Sequence, residues 1–293
     1  MKHRLKLHII MMLLLPSISL ANQNDQLPIG NFELNIGARP SAPYPAMRNY
    51  NTDLTSQGSG SEYPVEVSRH HIIPFNVLRT FYNRLAERNQ FSNVGGFFYT
   101  YSDNLRFYAS RNGIDCGNLG NDLVDAGNLA LAHRYGLARQ GGTALAPGFD
   151  TFEQFYAWLP GNLFIGPAQR SDDPHEGFES NAHVVVGAAY FDTLSRVYQN
   201  MIRFNNGDDS SSLLNAISVG LSQMAQKKSV FSLNPQDWMY IHGKYKLKDT
   251  QLNKGYFTTE AMKTKKIDDD TCVDMTPNIL EKIITVLDLD VVS

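Results

Sequence analysis

The run Arg69-His70-His71-Ile72-Ile73-Pro74 carries the side chains best suited to chemistry. Successive residues of an extended segment point to opposite faces, so two adjacent imidazoles divide the work. One can ligate a cation while its neighbour takes a proton from water. Imidazole serves either purpose because its ordinary pKa lies near neutrality. Further along, Asn162 heads the stretch Asn162-Leu163-Phe164-Ile165, Arg170 follows, and His175 and His183 lie among the acids Asp172, Asp173, Glu176 and Glu179. Each residue also has a plainer reading: a surface or core histidine pair, a turn asparagine, an exposed first-turn histidine, caps and solvated acids. His133 and His242 have no partner that the sequence identifies and are read as structural.

The elements that would position these residues follow from periodicity. Val65 and Val67 alternate with polar residues as in a short strand beginning near Tyr63, which puts the double histidine at its end. After Pro74, Leu78, Phe81, Tyr82 and Leu85 recur at helical spacing, predicting an amphipathic helix to about Arg88. A second helix is expected from Asp122 towards Gln140, stopped by Gly141-Gly142. A third, short one has Asp150 and Glu153 as a capping box. Pro160-Gly161 breaks the chain before a strand that starts at Asn162 and ends at Gly166-Pro167. Asp173-Pro174-His175-Glu176 has the pattern of a helix entry, and Val184 to Met201 continues as a long helix to Phe204. Helices are also expected over Ser212–Lys227 and Pro277–Leu289, with a strand pair or hairpin over Lys244–Phe257. The implied class is α+β, mostly helical.

Composition narrows the possibilities. Lys2, His3, Arg4 and Lys6 precede an apolar run to Leu15, and Ser19-Leu20-Ala21 offers small residues for cleavage, so residues 1–21 read as an export signal. The mature protein is then expected to be secreted or periplasmic, with no membrane insertion. Losing Lys2, Arg4 and Lys6 and no acid takes the formal charge from −3 to −6, which counts against a tight nucleic-acid scaffold. The nine lysines between 227 and 266 form a local basic excess interleaved with Trp238, Tyr240, Tyr245, Tyr256 and Phe257. That pattern suits phosphate contact with base stacking, or equally a half-buried hairpin with a wet lysine face. Cys116 and Cys272 would form a disulfide in an oxidising compartment, or stay as two buried thiols. Residues 22–62, rich in Asn, Pro, Gly and Ser, are expected to be a flexible arm. Residues 63–293 would then be a single domain.

The His70-His71 pair with Pro74, the Asn162 strand and the later histidine, in that order, resemble the HNH/endonuclease VII group of the ββα-metal nuclease superfamily. That resemblance implies a small ββα-metal core from residues 63–89 and 158–204, a large helical insertion at 90–157 and a C-terminal extension at 205–293. The insertion is required because 90 residues separate His71 from Asn162, far more than the compact motif has. Carried over by residue, His70 would ligate the metal, with His175 or, failing it, His183 as a further ligand. His71 would be the general base and Asn162 would fix the base or the metal; Arg69 or Arg170 would clamp a phosphate oxygen. The implied cofactor is one divalent ion, Mg2+ first, with Mn2+, Ni2+ or Zn2+ as alternatives. The implied activity is hydrolysis of phosphodiester bonds in DNA or RNA with little sequence specificity, serving nutrition or acting as a toxin with an inhibitor or immunity protein as partner. The competing reading is a secreted, non-enzymatic binding or adhesion protein with structural histidines. His-Glu-x-x-His and Gly-x-Ser-x-Gly are absent, which removes support from zincin and serine-hydrolase chemistry.

Overall fold

The computed structural model describes residues 29–35 and 37–248, and the fold is α+β and mostly helical. In chain order the elements are β1 (Ile29–Asn31), β2 (Asn49–Tyr50), β3 (Gln57–Gly58), β4 (Val67–His71), α1 (Phe75–Glu87), α2 (Gly95–Arg111), α3 (Asp122–Arg134), β5 (Arg139–Leu145), α4 (Phe149–Ala157), β6 (Leu163–Pro167), α5 (His183–Val186), α6 (Ala188–Asn205), α7 (Ser211–Gln226), β7 (Trp238–Ile241) and β8 (Lys244–Leu247). The strands form four two-stranded sheets: β1 parallel to β5, and β2–β3, β4–β6 and β7–β8 antiparallel. The expected export signal at residues 1–21, the helix at Pro277–Leu289, Cys272 and most of the lysine-rich tail lie outside the described residues. Among the described residues no helix is long and apolar enough to cross a membrane.

Helix α1 buries Phe75, Leu78, Phe81, Tyr82 and Leu85 on one face, as its spacing predicts, and ends where Asn89 takes a positive φ of 51°. Helix α3 sits deeper and buries residues almost all round, including Leu123, Ala126, Ala130 and His133. It packs between α2 and α4, while α7 covers α2 and α6 covers α1. Rings of Tyr82, Phe91, Phe98, Phe152 and Tyr156 fill the space between these helices in edge-on and tilted pairs, geometries that aromatic quadrupoles favour.

Several expectations are corrected. The segment taken as a flexible arm is packed from residue 30 onward: Phe32, Leu34, Tyr44 and Leu54 are buried in the main core. Asn83 pins it by accepting from Leu34 N at 2.8 Å and donating to Leu34 O at 3.0 Å. Isolated apolar residues in a Pro- and Asn-rich stretch have no period to reveal that burial. Helix α3 stops at Arg134, and Gly141-Gly142 lies within β5 rather than ending a helix. Helix α4 has no side-chain cap; it starts after Gly148, which has φ 76° and leaves no room for a Cβ against the backbone of Asp125 and Ala126. Asp173-Pro174 opens no helix, because His175 has φ 55° and helical structure resumes only at His183. Gly187, with φ 81°, then divides the expected long helix into α5 and α6. Lys244–Leu247 pairs with Trp238–Ile241 through a turn at His242-Gly243, and residues 249–257 of the expected strand pair lie outside the described residues.

Candidate active site

The β4–β6 pair is the frame of the candidate site. Val67↔Pro167 through His71↔Leu163 are in register without a bulge, so the double histidine ends one strand opposite the residue after Asn162. The 90 intervening residues leave and return without disturbing this pairing. Asn162 closes the end of the frame. Its side chain is wholly buried; Oδ1 accepts from Ile73 N at 2.8 Å and Nδ2 donates to Ile73 O at 2.8 Å. Both polar functions are therefore spent on the turn that follows the histidine pair. Asn162, expected to fix the base or the metal, makes its side-chain hydrogen bonds to the Ile73 backbone just beyond the pair.

Strand alternation sends the two imidazoles to different faces. His70 lies against Phe164 with ring centroids 5.2 Å apart, and its Nε2 is 3.0 Å from both Pro167 O and Ser68 Oγ. A carbonyl only accepts, so Nε2 carries the proton and Nδ1 the lone pair. Trp238 of β7 covers this face beside Gly166, where a Cβ would collide with the indole. Burial, helped by the Arg170 charge, lowers the His70 pKa to about 4.

His71 faces the other side, against Trp158 at 4.9 Å between ring centroids. Its Nε2 donates to Ala157 O at 2.7 Å, which fixes the same tautomer and leaves the lone pair on Nδ1. Burial and then the Arg39 charge bring its pKa down to about 3. The ring is consequently neutral at physiological pH, with its proton affinity lowered by its surroundings. The N-terminal segment that covers this face is tied down by Trp158 Nε1 to Pro40 O at 2.8 Å, Tyr44 OH to Trp158 O at 2.6 Å and Arg69 Nη2 to Pro45 O at 2.9 Å.

The two arginines assigned to phosphate have other duties. Arg69 holds Pro45 and lies over the Tyr44 ring. Arg170 has a fully buried side chain that pairs with Glu179 at 2.7 Å and Asp172 at 3.1 Å, between the Phe164 and Trp238 rings. Burial alone would lower the guanidinium pKa; the hydrogen bonds and charges of Glu179 and Asp172 more than offset that. Neither arginine is placed to clamp a substrate. Arg39 and Arg79 line a cleft of about 210 Å³ with Gly37, Pro74, Phe75, Asn76 and Glu176. Sequence reasoning missed both, Arg39 because it lies in the supposed arm and Arg79 because it reads as the wet face of α1.

The expected metal ligands do not converge. His175 is exposed on a turn with its backbone N bonded to Asp173 Oδ1 at 2.7 Å. His183 begins α5, with Nδ1 3.2 Å from Ser180 O and its ring edge-on to Phe191. Among the described residues no three His, Cys, Asp or Glu side chains gather closely enough to hold an ion. As folded, His70, His175 and His183 do not fit a shared divalent ion, and no chemical step is derived through one.

Comparison with known proteins leaves the family open. No protein-family model matches the chain, and no solved structure matches it. It is similar to a protein designated p9 of Acyrthosiphon pisum secondary endosymbiont phage 1, with 34% identity over 154 residues. The match covers 48% of this chain and 40% of that relative, so the chain spans about two fifths of the length of the relative it matches. Cys116 is wholly buried beside α3.

Proposed function

We propose that the protein is an exported endonuclease that hydrolyses phosphodiester bonds in DNA or RNA with little sequence preference, and that His71 is its proton acceptor. One observation carries this reading. His71 ends a strand at a turn braced by Asn162, with Nε2–H anchored on the Ala157 carbonyl, so that its Nδ1 lone pair is held in one direction. A base with a fixed tautomer and a fixed ring needs no reorganisation when the proton moves. In the proposed step a water proton passes to Nδ1, the water oxygen bonds to phosphorus, and the phosphorus bond to the leaving oxygen breaks, that oxygen taking a proton from solvent. The negative charge of a bound phosphodiester raises the imidazole pKa from its low resting value, which strengthens the base when substrate is present.

The test is cutting of supercoiled plasmid and of RNA by the purified full chain, with and without chelator, beside His71→Ala and His71→Gln. Loss of a positioned general base lowers the rate by about 100- to 10,000-fold, so both variants are expected to leave the polymers intact on the wild-type timescale. The chelator arm reports whether a divalent ion takes part. A His71→Ala protein that folds and cuts at the wild-type rate refutes the assignment. No cutting of either polymer with magnesium, manganese, nickel or zinc present transfers support to the secreted binding protein with structural histidines, a reading that the carbonyl-anchored rings also suit.

A further inference from the structure

We infer that the outer face of the β7–β8 hairpin, with Lys244, Lys246 and Lys248 in a row that ends beside Tyr240, is a contact for a single nucleic-acid strand outside the site of cutting. The substrate class rests on the nuclease reading; the surface itself follows from the hairpin's register. Tyr240 pairs with Tyr245 and Trp238 with Leu247. These four side chains share one face, where Trp238, Tyr245 and Leu247 are buried. Alternation puts Lys244, Lys246 and Lys248 on the other face, beside Ile241 and Met239. Successive lysines of that row stand about 6.8 Å apart, two residues of strand rise.

Lys244 and Lys246 have no ion-pair partner among the described residues. Asp237 lies across from Lys248, whose N donates to Asp237 O at 2.9 Å, and its carboxylate accepts from Asn234 Nδ2 at 2.9 Å. Two other acids near the hairpin are engaged elsewhere: Asp172 with Arg170 and Leu247 N, and Asp53, near Tyr245, with Thr55 N. A straight row of like charges repels itself unless opposite charge lies along it, and a sugar–phosphate backbone supplies that charge as a line. The row ends at the tip of the hairpin. Beyond Lys244 the chain turns through His242-Gly243, and Tyr240 stands 62% exposed at the same end, tilted against Tyr245 with ring centroids 4.8 Å apart. A strand that follows the lysines towards Lys244 leaves the row where that ring is open for a base to stack. Lysines in a line with an aromatic ring at its end favour a strand of phosphates and bases over a flat anionic surface.

The hairpin is fastened to the frame of the candidate site. Trp238 packs on Gly166 and Phe164, and Ser171 N and Leu247 N donate to Tyr245 O and Asp172 Oδ2. The lysine face therefore points away from β4–β6 and does not share the phosphate on which His71 acts. It holds a distant part of the same polymer, which raises the local concentration of scissile bonds and lowers KM with kcat unchanged.

The experiment measures binding of a fluorescein-labelled single-stranded DNA 12-mer by anisotropy across a salt series, with the full chain carrying His71→Ala so that cleavage does not interfere. The double variant Lys244→Gln/Lys246→Gln is expected to weaken binding about tenfold and to reduce the slope of log affinity against log salt by about 1.4, at about 0.7 for each phosphate contact on a single strand. Lys244→Arg/Lys246→Arg keeps the slope. Tyr240→Ala is expected to weaken binding at least about fivefold with the slope unchanged. Thermal melting of each variant controls for the fold. A double-glutamine protein that melts as wild type and keeps the wild-type slope overturns the inference, as does a Tyr240→Ala protein of unchanged affinity. Lysine-dependent co-sedimentation with vesicles of phosphatidylcholine and phosphatidylglycerol, without binding of the DNA, also overturns it and assigns the face to lipid. The two proposals fail separately. Lysine-dependent DNA binding by a protein that cuts nothing removes the nuclease reading alone; cutting with a KM indifferent to the double substitution removes this contact alone.

Discussion

Replacing Asn162 with alanine tests the brace on which the histidine pair depends. Its carboxamide is wholly buried and makes two 2.8 Å hydrogen bonds to the N–H and C=O of Ile73, while its backbone carbonyl accepts from Ile72 N at 2.9 Å. Alanine keeps the backbone bond and strands a buried donor and a buried acceptor. Each such group costs about 1–3 kcal/mol, and a loss of about 4 kcal/mol lowers Tm by about 8–16 °C in a chain of this size. Asn162→Asp refines the test, because a carboxylate accepts from Ile73 N but has no proton for Ile73 O. Burial raises the pKa of that carboxyl in the folded state, and its protonated form restores both bonds. The deficit of the Asp variant against wild type should therefore be largest at pH 7 and shrink as pH falls through the raised folded value. Differential scanning calorimetry at pH 7 and pH 5 reads both effects. An alanine variant melting within about 2 °C of wild type, or an aspartate deficit that ignores pH, refutes the brace.

Acid should unfold the protein through its half-buried and buried histidines. His70, His71 and His133 are held at about 4, about 3 and about 3, with burial the largest cause in each. All three values lie below the ordinary 6.5, so the unfolded chain binds protons first; the stability is fully present above pH 6.5 and is lost progressively below it. His133 is wholly buried, with Nε2 2.7 Å from Tyr82 OH. His133→Gln should flatten the fall in urea-unfolding free energy between pH 6 and pH 4 by about 1.4 kcal/mol per pH unit, and an unchanged slope contradicts this. Gly166→Ala would push a methyl into the Trp238 ring, cost about 1–3 kcal/mol and loosen the β7–β8 hairpin. On a Trp158→Phe background the remaining Trp238 emission should shift to the red; an unmoved spectrum and melting point show that the contact relaxes without cost.

The sequence made some elements legible and hid others for physical reasons. Helices α1 and α7 and strand β6 were legible within a few residues, α1 from its apolar spacing after Pro74 and β6 from the Pro160-Gly161 break before it. The packed N-terminal segment was not, because Phe32, Leu34 and Tyr44 are anchored singly by distant partners, Gln140, Asn83 and Trp158. The arginines mark another boundary. Arg170 and Arg69 occur beside the motif and invite a catalytic reading, yet what an arginine does depends on which charges and carbonyls the fold brings to it. For Arg170 those are Glu179 and Asp172, nine and two residues away in a loop with no periodic pattern.

The alternation that makes a histidine pair attractive for shared chemistry also separates it. The His70 face of β4 is closed by Phe164 and by Trp238 of the β7–β8 hairpin, and that hairpin is bound to the segment after β6 through Ser171 N to Tyr245 O and Leu247 N to Asp172 Oδ2, each 2.9 Å. The His71 face is closed by Trp158 and the segment from Arg39 to Pro45. A ligand that approaches either face must displace packed aromatic side chains. The end of β4 is different, because the chain turns there through Ile72-Ile73-Pro74 into a cleft bordered by two guanidiniums. The proposed proton transfer is assigned to His71, the strand's last residue, whereas His70 joins β4 to β6 through its bond to Pro167. On this geometry His70→Phe should cost stability before it costs proton transfer, whereas His71→Gln should cost proton transfer first.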